Sequence, residues 1–396
     1  MKPVEIKKDI FWVGAIDWNV RNFHGHTYTT QRGTTYNAYL ILDEKITLVD
    51  TVYGPFADEM IDKINQIVSP QKIDYIIANH VEIDHSGALA KILNLCPKAT
   101  IFGTQKCKEG LYRNFYLDMD FKVVKTADKL NLGKRTLTFI EAPMIHWPDS
   151  MFTYCLQEKL LLPNDAFGQH YATSKRFDDE VDSAELMDEA KKYYANILWP
   201  LSTIILKKIE EIQKLSIPID MIAPSHGIIW RKDPLNIVNS YMSWAKNETK
   251  PKIVLVYETM WGATAKMAQK IAEGIIQAGV EVKVFDVTCS DRTETIKEML
   301  DAKGFIFGSS THDNDMLPTI AGFLEFLKGL KPKNRLSCVF GSYGWGGGAV
   351  KNIEEILKIT GIEITLPSLS IQYVPDKNDL EKCYEFGKNF ALKLLK

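Results

Sequence analysis

The chain has 396 residues, of which 45% are hydrophobic and 25% are charged, and its formal net charge at pH 7 is −2. This length predicts two or three domains, and the near-neutral charge argues against nucleic acid or an anionic membrane as a partner. No apolar run is long enough to cross a bilayer, no signal-peptide segment is evident, and the six cysteines form no Cys-x-x-Cys pair. We therefore expect a cytoplasmic protein with free thiols and no Cys-ligated iron site.

The first half of the chain alternates strand-like and helix-like segments. The strand patterns cover residues 11–16, 35–42 and 46–50, and the helical patterns cover residues 57–68 and 87–95. A polar stretch that ends in proline, residues 244–251, has the composition of a linker. The sequence therefore predicts a first domain at residues 1–248 and a second at residues 251–396.

The second half has a more regular pattern. Apolar strands are predicted at residues 252–257, 280–287, 304–308, 336–341 and 362–370. Helices lie between them, and those with the clearest patterns are residues 265–278, 294–301 and 379–395. Gly279 is predicted to end the first of these helices. Five alternating strand–helix units predict a doubly wound parallel sheet.

One loop in the first half offers four metal-ligating side chains within six residues. His80, Glu82, Asp84 and His85 follow an apolar strand at residues 74–79 and precede a helix, near whose start lies Ser86. The carboxyl ends of strands are where open α/β sheets build sites. The spacing allows His80 and Glu82 to bind one metal, and Asp84 and His85 another. The alternative is a solvated polar loop without a metal.

Three further candidates each follow an apolar strand: His146, Asp165 and His226. Taken singly, each such residue is more often a structural hydrogen-bonding group than a metal ligand. Taken with the loop at residues 80–85, they predict strand ends that converge on one rim.

The second half carries three loops suited to a phosphate and a flat aromatic ring. Hydroxyls at Thr259 and Thr264, backbone N–H groups and a helix N-terminus predict a phosphate cradle, although an ordinary strand–helix turn has similar features. Two later loops follow strands on the same edge, and their aromatic and glycine residues suit ring stacking. The predicted binding residues are Glu258, Thr259, Met260, Trp261, Gly262, Ala263 and Thr264; Ser309, Ser310, Thr311, His312, Asp313 and Asn314; and Ser342, Tyr343, Gly344, Trp345, Gly346 and Gly347.

The ligand pattern resembles the metallo-β-lactamase superfamily, which implies an αββα sandwich for the first domain. Asp50 matches the acidic residue that ends an early strand of that fold. Glu82 stands where the hydrolases of the superfamily usually have histidine. Four imidazoles and three carboxylates suit two redox-active irons, because hard carboxylate oxygens accommodate the change in metal charge. The three later loops resemble those of flavodoxin, which binds FMN.

Together the two halves resemble the flavodiiron proteins, of the minimal two-domain class. This resemblance implies that His80, Glu82 and His146 bind one iron, that Asp84, His85 and His226 bind the other, and that Asp165 bridges them. It implies reduction of nitric oxide to nitrous oxide, of dioxygen to water, or of both. It also implies FMN as the route for electrons, rubredoxin or another external donor, and a head-to-tail homodimer or a dimer of dimers.

Three further histidines are candidates for roles beside the iron pair. The same resemblance implies that the loop with His24 and His26 reaches the iron pocket, where either histidine donates a hydrogen bond to a bound gas. The alternative is that this segment is only a surface loop. His170 is a candidate hydrogen-bond donor behind the ligands. Two other functions remain open from the sequence. A binuclear zinc hydrolase with a flavodoxin module is disfavoured by Glu82, and an electron carrier with a structural first half is disfavoured by the complete ligand set.

Overall fold

The computed structural model describes residues 2–214 and 216–395. The chain divides into two compact units, Met1–Tyr193 with Thr203–Met242, and Tyr194–Ser202 with Ser243–Lys396. The segment Tyr194–Ser202 thus belongs with the second unit, although it lies well before the predicted boundary near residue 250. Its Trp199 explains this placement, because the indole Nε1 donates to Asn247 Oδ1 at 3.0 Å. Within the described part of the chain, no helix is long and apolar enough to cross a membrane.

The first unit is built from short strands and from helices that follow them. Its strands are β1 (Val4–Lys7), β2 (Ile10–Trp12), β3 (Ala15–Asp17), β4 (Asn22–Phe23), β5 (Tyr28–Thr29), β6 (Thr34–Tyr36), β7 (Tyr39–Ile41), β8 (Thr47–Val49), β9 (Tyr75–Ile77), β10 (Thr100–Gly103), β11 (Phe121–Val123), β12 (Lys129–Asn131), β13 (Thr136–Glu141), β14 (Met151–Cys155), β15 (Leu160–Leu162) and β16 (Met221–Ile222). Its helices are α1 (Ala57–Asn65), α2 (Ile83–Ser86), α3 (Leu89–Leu95), α4 (Gln105–Phe115), α5 (Ser183–Tyr193), α6 (Ser202–Lys214) and α7 (Pro234–Ala245).

Two sheets of this unit face each other across one core. The first has the order β1-β2-β7-β8-β9-β10-β11, and the second has the order β12-β13-β14-β15-β16. Buried side chains of both sheets, such as Ile77 and Phe102 from one and Phe139 and Leu160 from the other, belong to the same hydrophobic cluster. The predicted sandwich is therefore confirmed, and the carboxyl ends of β8, β9 and β15 lie where the sequence placed its candidate ligands.

Two strands predicted to be continuous are each broken in two. The segment 11–16 becomes β2 and β3, and the segment 35–42 becomes β6 and β7, because the chain leaves the large sheet between them. At this crossing Val13 N donates to Ala38 O at 2.9 Å, and Asn37 N donates to Ser225 O at 2.7 Å. A Cβ atom on Gly14 would lie 2.2 Å from Tyr36 O, so only glycine permits the approach. The prediction missed the break because apolar character continues across it.

The second unit has a single main sheet with helices between its strands. Its strands are β17 (Lys250–Glu258), β18 (Glu281–Asp286), β19 (Ala302–His312), β20 (Asp315–Met316), β21 (Leu336–Tyr343), β22 (Glu363–Ile364) and β23 (Leu369–Gln372). Its helices are α8 (Ala263–Gln277), α9 (Arg292–Met299), α10 (Pro318–Leu330), α11 (Gly348–Thr360) and α12 (Lys377–Leu394). The segment Tyr194–Leu198 forms a π-helical turn.

The parallel order β18-β17-β19-β21-β22, with β23 also parallel to β21, confirms the predicted doubly wound sheet. Gly279 has a φ of +78°, as expected for a residue that ends a helix. The predicted strand 362–370 is divided into β22 and β23, because Pro367 lies within it and lacks the N–H that a strand requires. The predicted linker is also shorter than expected, since α7 ends at Ala245 and β17 already begins at Lys250.

Candidate metal centre and cofactor cavity

The strand ends of the first unit bring all seven predicted ligands together. His80 and Glu82 follow β9, Asp84 and His85 lie in α2, and His146, Asp165 and His226 follow β13, β15 and β16. Their ligand atoms form two groups, which we call the first position and the second position. The first consists of His80, Glu82, His146 and Asp165, and the second of Asp84, His85 and His226 together with the other oxygen of Asp165.

In the first position four ligand atoms surround one point. Glu82 Oε2 lies 3.3 Å from His80 Nε2 and 3.4 Å from His146 Nε2. Asp165 Oδ2 lies 3.6 Å from His80 Nε2 and 3.3 Å from His146 Nε2. Four ligands at about 2.0–2.1 Å from a tetrahedral ion are separated by roughly 3.3–3.4 Å, so these distances fit one ion.

The second position has the same arrangement. Asp84 Oδ2 lies 3.3 Å from His85 Nε2 and 3.1 Å from His226 Nε2. Asp165 Oδ1 lies 2.9 Å from His85 Nε2 and 3.5 Å from His226 Nε2. The two oxygens of Asp165 therefore face different positions, which is the geometry of a bridging carboxylate.

The buried polar atoms test whether these residues fit two cations. Among the described residues, both oxygens of Asp84, both ring nitrogens of His85 and Oδ2 of Asp165 are buried and form no hydrogen bond. Buried polar atoms are normally paired, so this cluster of carboxylate oxygens and imidazole nitrogens without hydrogen bonds fits the binding of cations. The donor set of imidazoles and carboxylates, with no thiolate, suits iron in particular.

The electrostatics lead to the same conclusion. Burial would lower the pKa of His85, but the charges of Asp84 and Asp165 outweigh it and raise the pKa to about 9. Burial would also lower the pKa of His146, but the neighbouring carboxylates of Asp165 and Glu82 outweigh burial and raise this pKa to about 9. Burial would raise the pKa of Glu82, yet hydrogen bonds from the surrounding imidazoles hold it well below its usual range. The carboxylates thus draw positive charge into the site, which metal ions supply when they are bound.

Groups behind the ligands fix the orientation of the imidazole rings. Asp149 Oδ2 lies 2.9 Å from His80 Nδ1 and accepts from Val81 N at 2.8 Å. The carbonyl oxygen of Thr35 lies 2.7 Å from His226 Nδ1. Each contact makes Nδ1 the donor and leaves Nε2 free for a metal. The sequence analysis missed both residues, because nothing in their local pattern distinguishes them from ordinary loop and strand residues.

Asp50 and Ser86 support the site without facing the metal positions. Asp50 accepts from Asn79 N at 2.8 Å, Asn79 Nδ2 at 3.0 Å and Asn164 Nδ2 at 3.2 Å, so it joins the ends of β8, β9 and β15. Ser86 lies at the end of α2 rather than at the start of a helix, and its hydroxyl donates to Val81 O at 2.7 Å.

The three additional histidines have different surroundings. His24 Nε2 lies 3.1 Å from Glu82 Oε1, so it contacts the ligand oxygen that faces away from the first position. His26 is exposed, and it belongs neither to the two metal positions nor to the lining of the cavity of about 480 Å³ beside them. His170 is buried, with Nδ1 2.8 Å from Thr34 Oγ1 and its ring 4.9 Å from that of His226. A cavity of about 480 Å³ opens beside Glu82 and Asp84 and is lined by His24, Tyr36, Tyr53 and Trp147, among other residues.

The predicted cofactor loops surround a cavity of about 630 Å³ in the second unit. Trp261 and Trp345 are 88% and 93% exposed at its edge, which leaves their ring faces available for stacking. The predicted residues that line it are Met260, Trp261, Ala263, Ser310, Thr311, His312, Asp313, Asn314, Ser342, Tyr343, Gly344, Trp345 and Gly346. Tyr373 and Val374, which follow β23, also line the cavity. They were not predicted, because the last strand was expected to end at residue 370 and the loop after it was not considered.

Six predicted residues do not line this cavity. Glu258 Oε2 instead accepts from Ile320 N in the first turn of α10 at 2.8 Å, and Ser309 Oγ accepts from Leu317 N at 3.0 Å. Thr264 is fully buried, and its hydroxyl lies 2.9 Å from Ser310 Oγ and 2.8 Å from Ser342 Oγ, so it joins all three loops. The other three residues are Thr259, Gly262 and Gly347.

The loop before α8 has the backbone that a phosphate cradle needs. Gly262 has a φ of +84°, and its N–H donates to Thr259 Oγ1 at 3.1 Å. This left-handed conformation turns the chain into the N-terminus of α8. The N-terminus of α8 thus follows the carboxyl end of β17, and helix N-termini in such loops are general sites for anions.

Comparison with known proteins matches both units. Residues 34–227 match the family model described as ODP family beta lactamase, and residues 255–387 match the flavodoxin model. A nitric oxide reductase of Moorella thermoacetica is 54% identical over 395 residues, which cover 99% of each chain. The rubredoxin oxygen:oxidoreductase of Desulfovibrio gigas superposes with a TM-score of 0.97 at 37% identity, covering 100% of this chain and 99% of that one. The flavodiiron protein of Giardia intestinalis gives 0.96 at 34% identity, covering 100% and 97%.

Proposed function

The chain belongs to the flavodiiron proteins, and on this premise we propose that it is an oxidoreductase that reduces nitric oxide to nitrous oxide, dioxygen to water, or both. The observation that carries the proposal is a pair of metal positions that share Asp165, in a chain that also has a cavity for FMN. Two irons bound there supply open coordination positions and electrons, and FMN in the second unit supplies further electrons.

The residues of the first unit suit this chemistry. Asp165 would hold two irons side by side, since its two oxygens face the two positions, and the iron pair would supply the sites for nitric oxide or dioxygen. Asp149 and Thr35 keep the imidazoles of His80 and His226 turned toward the metals. His24 contacts Glu82, and both residues line the cavity of about 480 Å³ beside the metal positions, which we take as the space for the gas.

We assign the roles of the cofactor residues in the same way. The seven ligands hold two irons, and the loops at residues 258–264, 309–314 and 342–347 hold FMN, with the phosphate at the N-terminus of α8. Residues 1–248 act as the diiron domain and residues 251–396 as the FMN domain. A reducing compartment such as the cytoplasm suits the chain, since all six cysteines are free thiols.

Metal analysis and gas turnover test this function. We expect about two irons and one FMN per chain after anaerobic expression in iron-replete medium. The reduced protein should then consume nitric oxide, dioxygen or both in side-by-side anaerobic assays, with nitrous oxide or water as the product. A protein that contains zinc at both positions and is inert toward both gases would be a hydrolase-like relative, not an oxidoreductase.

We further propose a separate rubredoxin-type electron donor and a head-to-tail homodimer, alone or as a dimer of dimers. Support comes from exposed apolar side chains beside both cavities: Ile83 and Trp147 in the first unit, and Trp261 and Trp345 in the second. In such a dimer, the FMN of one chain delivers electrons to the irons of its partner.

Subunit mixing tests the dimer. Chains with Asp165→Ala should lack the iron pair. Chains with Thr259→Val and Gly262→Leu should lack FMN, because they lose the bond from Gly262 N to Thr259 Oγ1 and put a side chain at a φ of +84°, which distorts the loop before α8. A mixed dimer, isolated by two different tags, should regain activity because one intact FMN meets one intact iron pair. Mixed dimers as inactive as both parents would exclude transfer between chains.

A further inference from the structure

Asn37 is fully buried where the chain crosses between β6 and β7, and it bonds to both sides of His226. Its Nδ2 donates to Pro224 O at 2.8 Å and to Gly227 O at 3.1 Å. Its backbone N–H donates to Ser225 O at 2.7 Å. One asparagine therefore holds the peptide on either side of a metal ligand.

The remaining hydrogen-bonding atom of this side chain is also fixed. Asn37 Oδ1 accepts from Trp12 Nε1 at 2.7 Å, and Trp12 is fully buried. Lys63 Nζ lies 5.1 Å, and Arg176 Cζ 4.7 Å, from the Trp12 ring. Cations beside an indole are attracted to its ring, so they fix its position. The indole in turn determines which end of the Asn37 amide faces the loop of His226.

Thr35 completes the same support from the other end of the crossing. Its carbonyl oxygen lies 2.7 Å from His226 Nδ1, and its hydroxyl accepts from Gly227 N at 2.6 Å. With His226 so held, Nε2 lies 3.1 Å from Asp84 Oδ2 in the second position. None of these bonds reaches His80 or His146 of the first position.

We propose that Asn37 is a positioning residue for the second metal position, with Trp12 as the group that orients it. The inference rests on the proposed function, because it takes the second position to be a metal site. Deleting the amide removes one donor from each of the carbonyls of residues 224 and 227, which then keep only the hydroxyls of Tyr39 at 2.7 Å and Thr35 at 3.5 Å. The loop loses that part of its support and shifts. The imidazole of His226 moves with it, whereas His80, Glu82 and His146 of the first position lie on other loops.

The test is an anaerobic titration of the metal-free, FMN-bound protein with Co²⁺, followed by its visible absorption. Titrations of His226→Ala and His146→Ala identify the absorption of each position. In Asn37→Ala we expect the affinity of the second position to fall about 10–100-fold, as is usual when a partner of a ligand is lost, and that of the first to change less than about twofold. Trp12→Phe keeps an aromatic side chain but removes the five-membered ring of the indole with its N–H, the donor to Asn37 Oδ1. It leaves both Asn37 donors in place, so it should weaken the same position by less than about tenfold.

Asn79→Ala is the matched control. Asn79 is also fully buried, but its side chain bonds to Asp50 and Thr153 and not to the loop of His226. Asn79 adjoins His80, so any weakening in this variant should fall on the first position and not selectively on the second. All three substituted residues lie in the first unit, so Co²⁺ binding retained at one position reports that this unit has folded. If Asn37→Ala fails to fold, Trp12→Phe decides the question.

Unchanged affinities in Asn37→Ala and Trp12→Phe, or equal weakening at both positions, would overturn the inference. A wild-type protein that binds fewer than two Co²⁺ would instead refute the dinuclear centre of the proposed function. The two failures are thus distinguishable.

Discussion

Replacing Asp149 by alanine should weaken metal binding at the first position and leave the second intact. The side chain of Asp149 is 4% exposed, and one oxygen, Oδ2, is shared by His80 Nδ1 at 2.9 Å and Val81 N at 2.8 Å. The substitution removes the acceptor that fixes the His80 ring and the start of the ligand loop. Neither bond involves a residue of the second position.

The size of the effect follows from these two bonds. A hydrogen bond to a charged group contributes about 1.5–3 kcal/mol, and both bonds are lost together. Not all of this reaches the metal, because the loop relaxes and water replaces part of the carboxylate. Losing a partner of a ligating histidine typically lowers metal affinity about 10–100-fold, which corresponds to about 1.4–2.7 kcal/mol.

The assay is iron content together with stepwise metal titration of the metal-free protein. Asp149→Asn serves as the conservative variant, because its amide oxygen still accepts one hydrogen bond, and it should lie between wild type and Asp149→Ala. Equal affinity of the first position in Asp149→Ala and wild type would refute the view that this carboxylate orients His80. Loss confined to the second position would refute the assignment of the two ligand groups.

Three further outcomes are expected. Asp165→Ala should lose the iron pair but retain FMN, measured by metal analysis and flavin absorbance, since Asp165 lies in the first unit; two retained irons with full gas reduction would contradict its bridging role. Thr264→Val should lower the free energy of unfolding of the second unit by about 2 kcal/mol, because two hydroxyl contacts are lost at about 1 kcal/mol each. Urea denaturation measures this change. Thr264→Ser keeps the hydroxyl, so its free energy of unfolding should fall much less. Cys289 is the exposed thiol, and burial raises the pKa of each of the other five cysteine thiols. A thiol reagent at pH 8 should therefore modify one cysteine in the native protein and none in Cys289→Ser.

Four of the seven candidate ligands and the parallel character of the second sheet were predictable from local pattern. His80, Glu82, Asp84 and His85 lie within one loop, so their proximity needs no tertiary information. The alternation of apolar strands and amphipathic helices from residue 252 onward determines a parallel sheet, because each crossover needs a helix. Family resemblance then grouped His146, Asp165 and His226 with the loop, and the structure places their ligand atoms within a few ångströms of it.

Residues that act through contacts distant in sequence could not be predicted in the same way. Asp149 is 69 residues from His80, and Asn37 is 187 and 190 residues from the two carbonyls that it holds. A buried asparagine or aspartate has no periodicity of its own, so only the fold shows which backbone or ring it serves. The same reason applies to the segment Tyr194–Ser202, whose place with the second unit depends on the contact of Trp199 with Asn247.

The sequence by itself thus determined the donor chemistry, the two kinds of fold and the loops that hold the candidate ligands and cofactor residues, since these depend on residue type and local spacing. The tertiary structure alone decided how the two oxygens of Asp165 are divided between the positions, and which ring nitrogen of His80 and His226 faces a metal. It also decided that Thr264 joins the three loops instead of lining the cavity. These features depend on directions in space, which are fixed only when separate strands pack together.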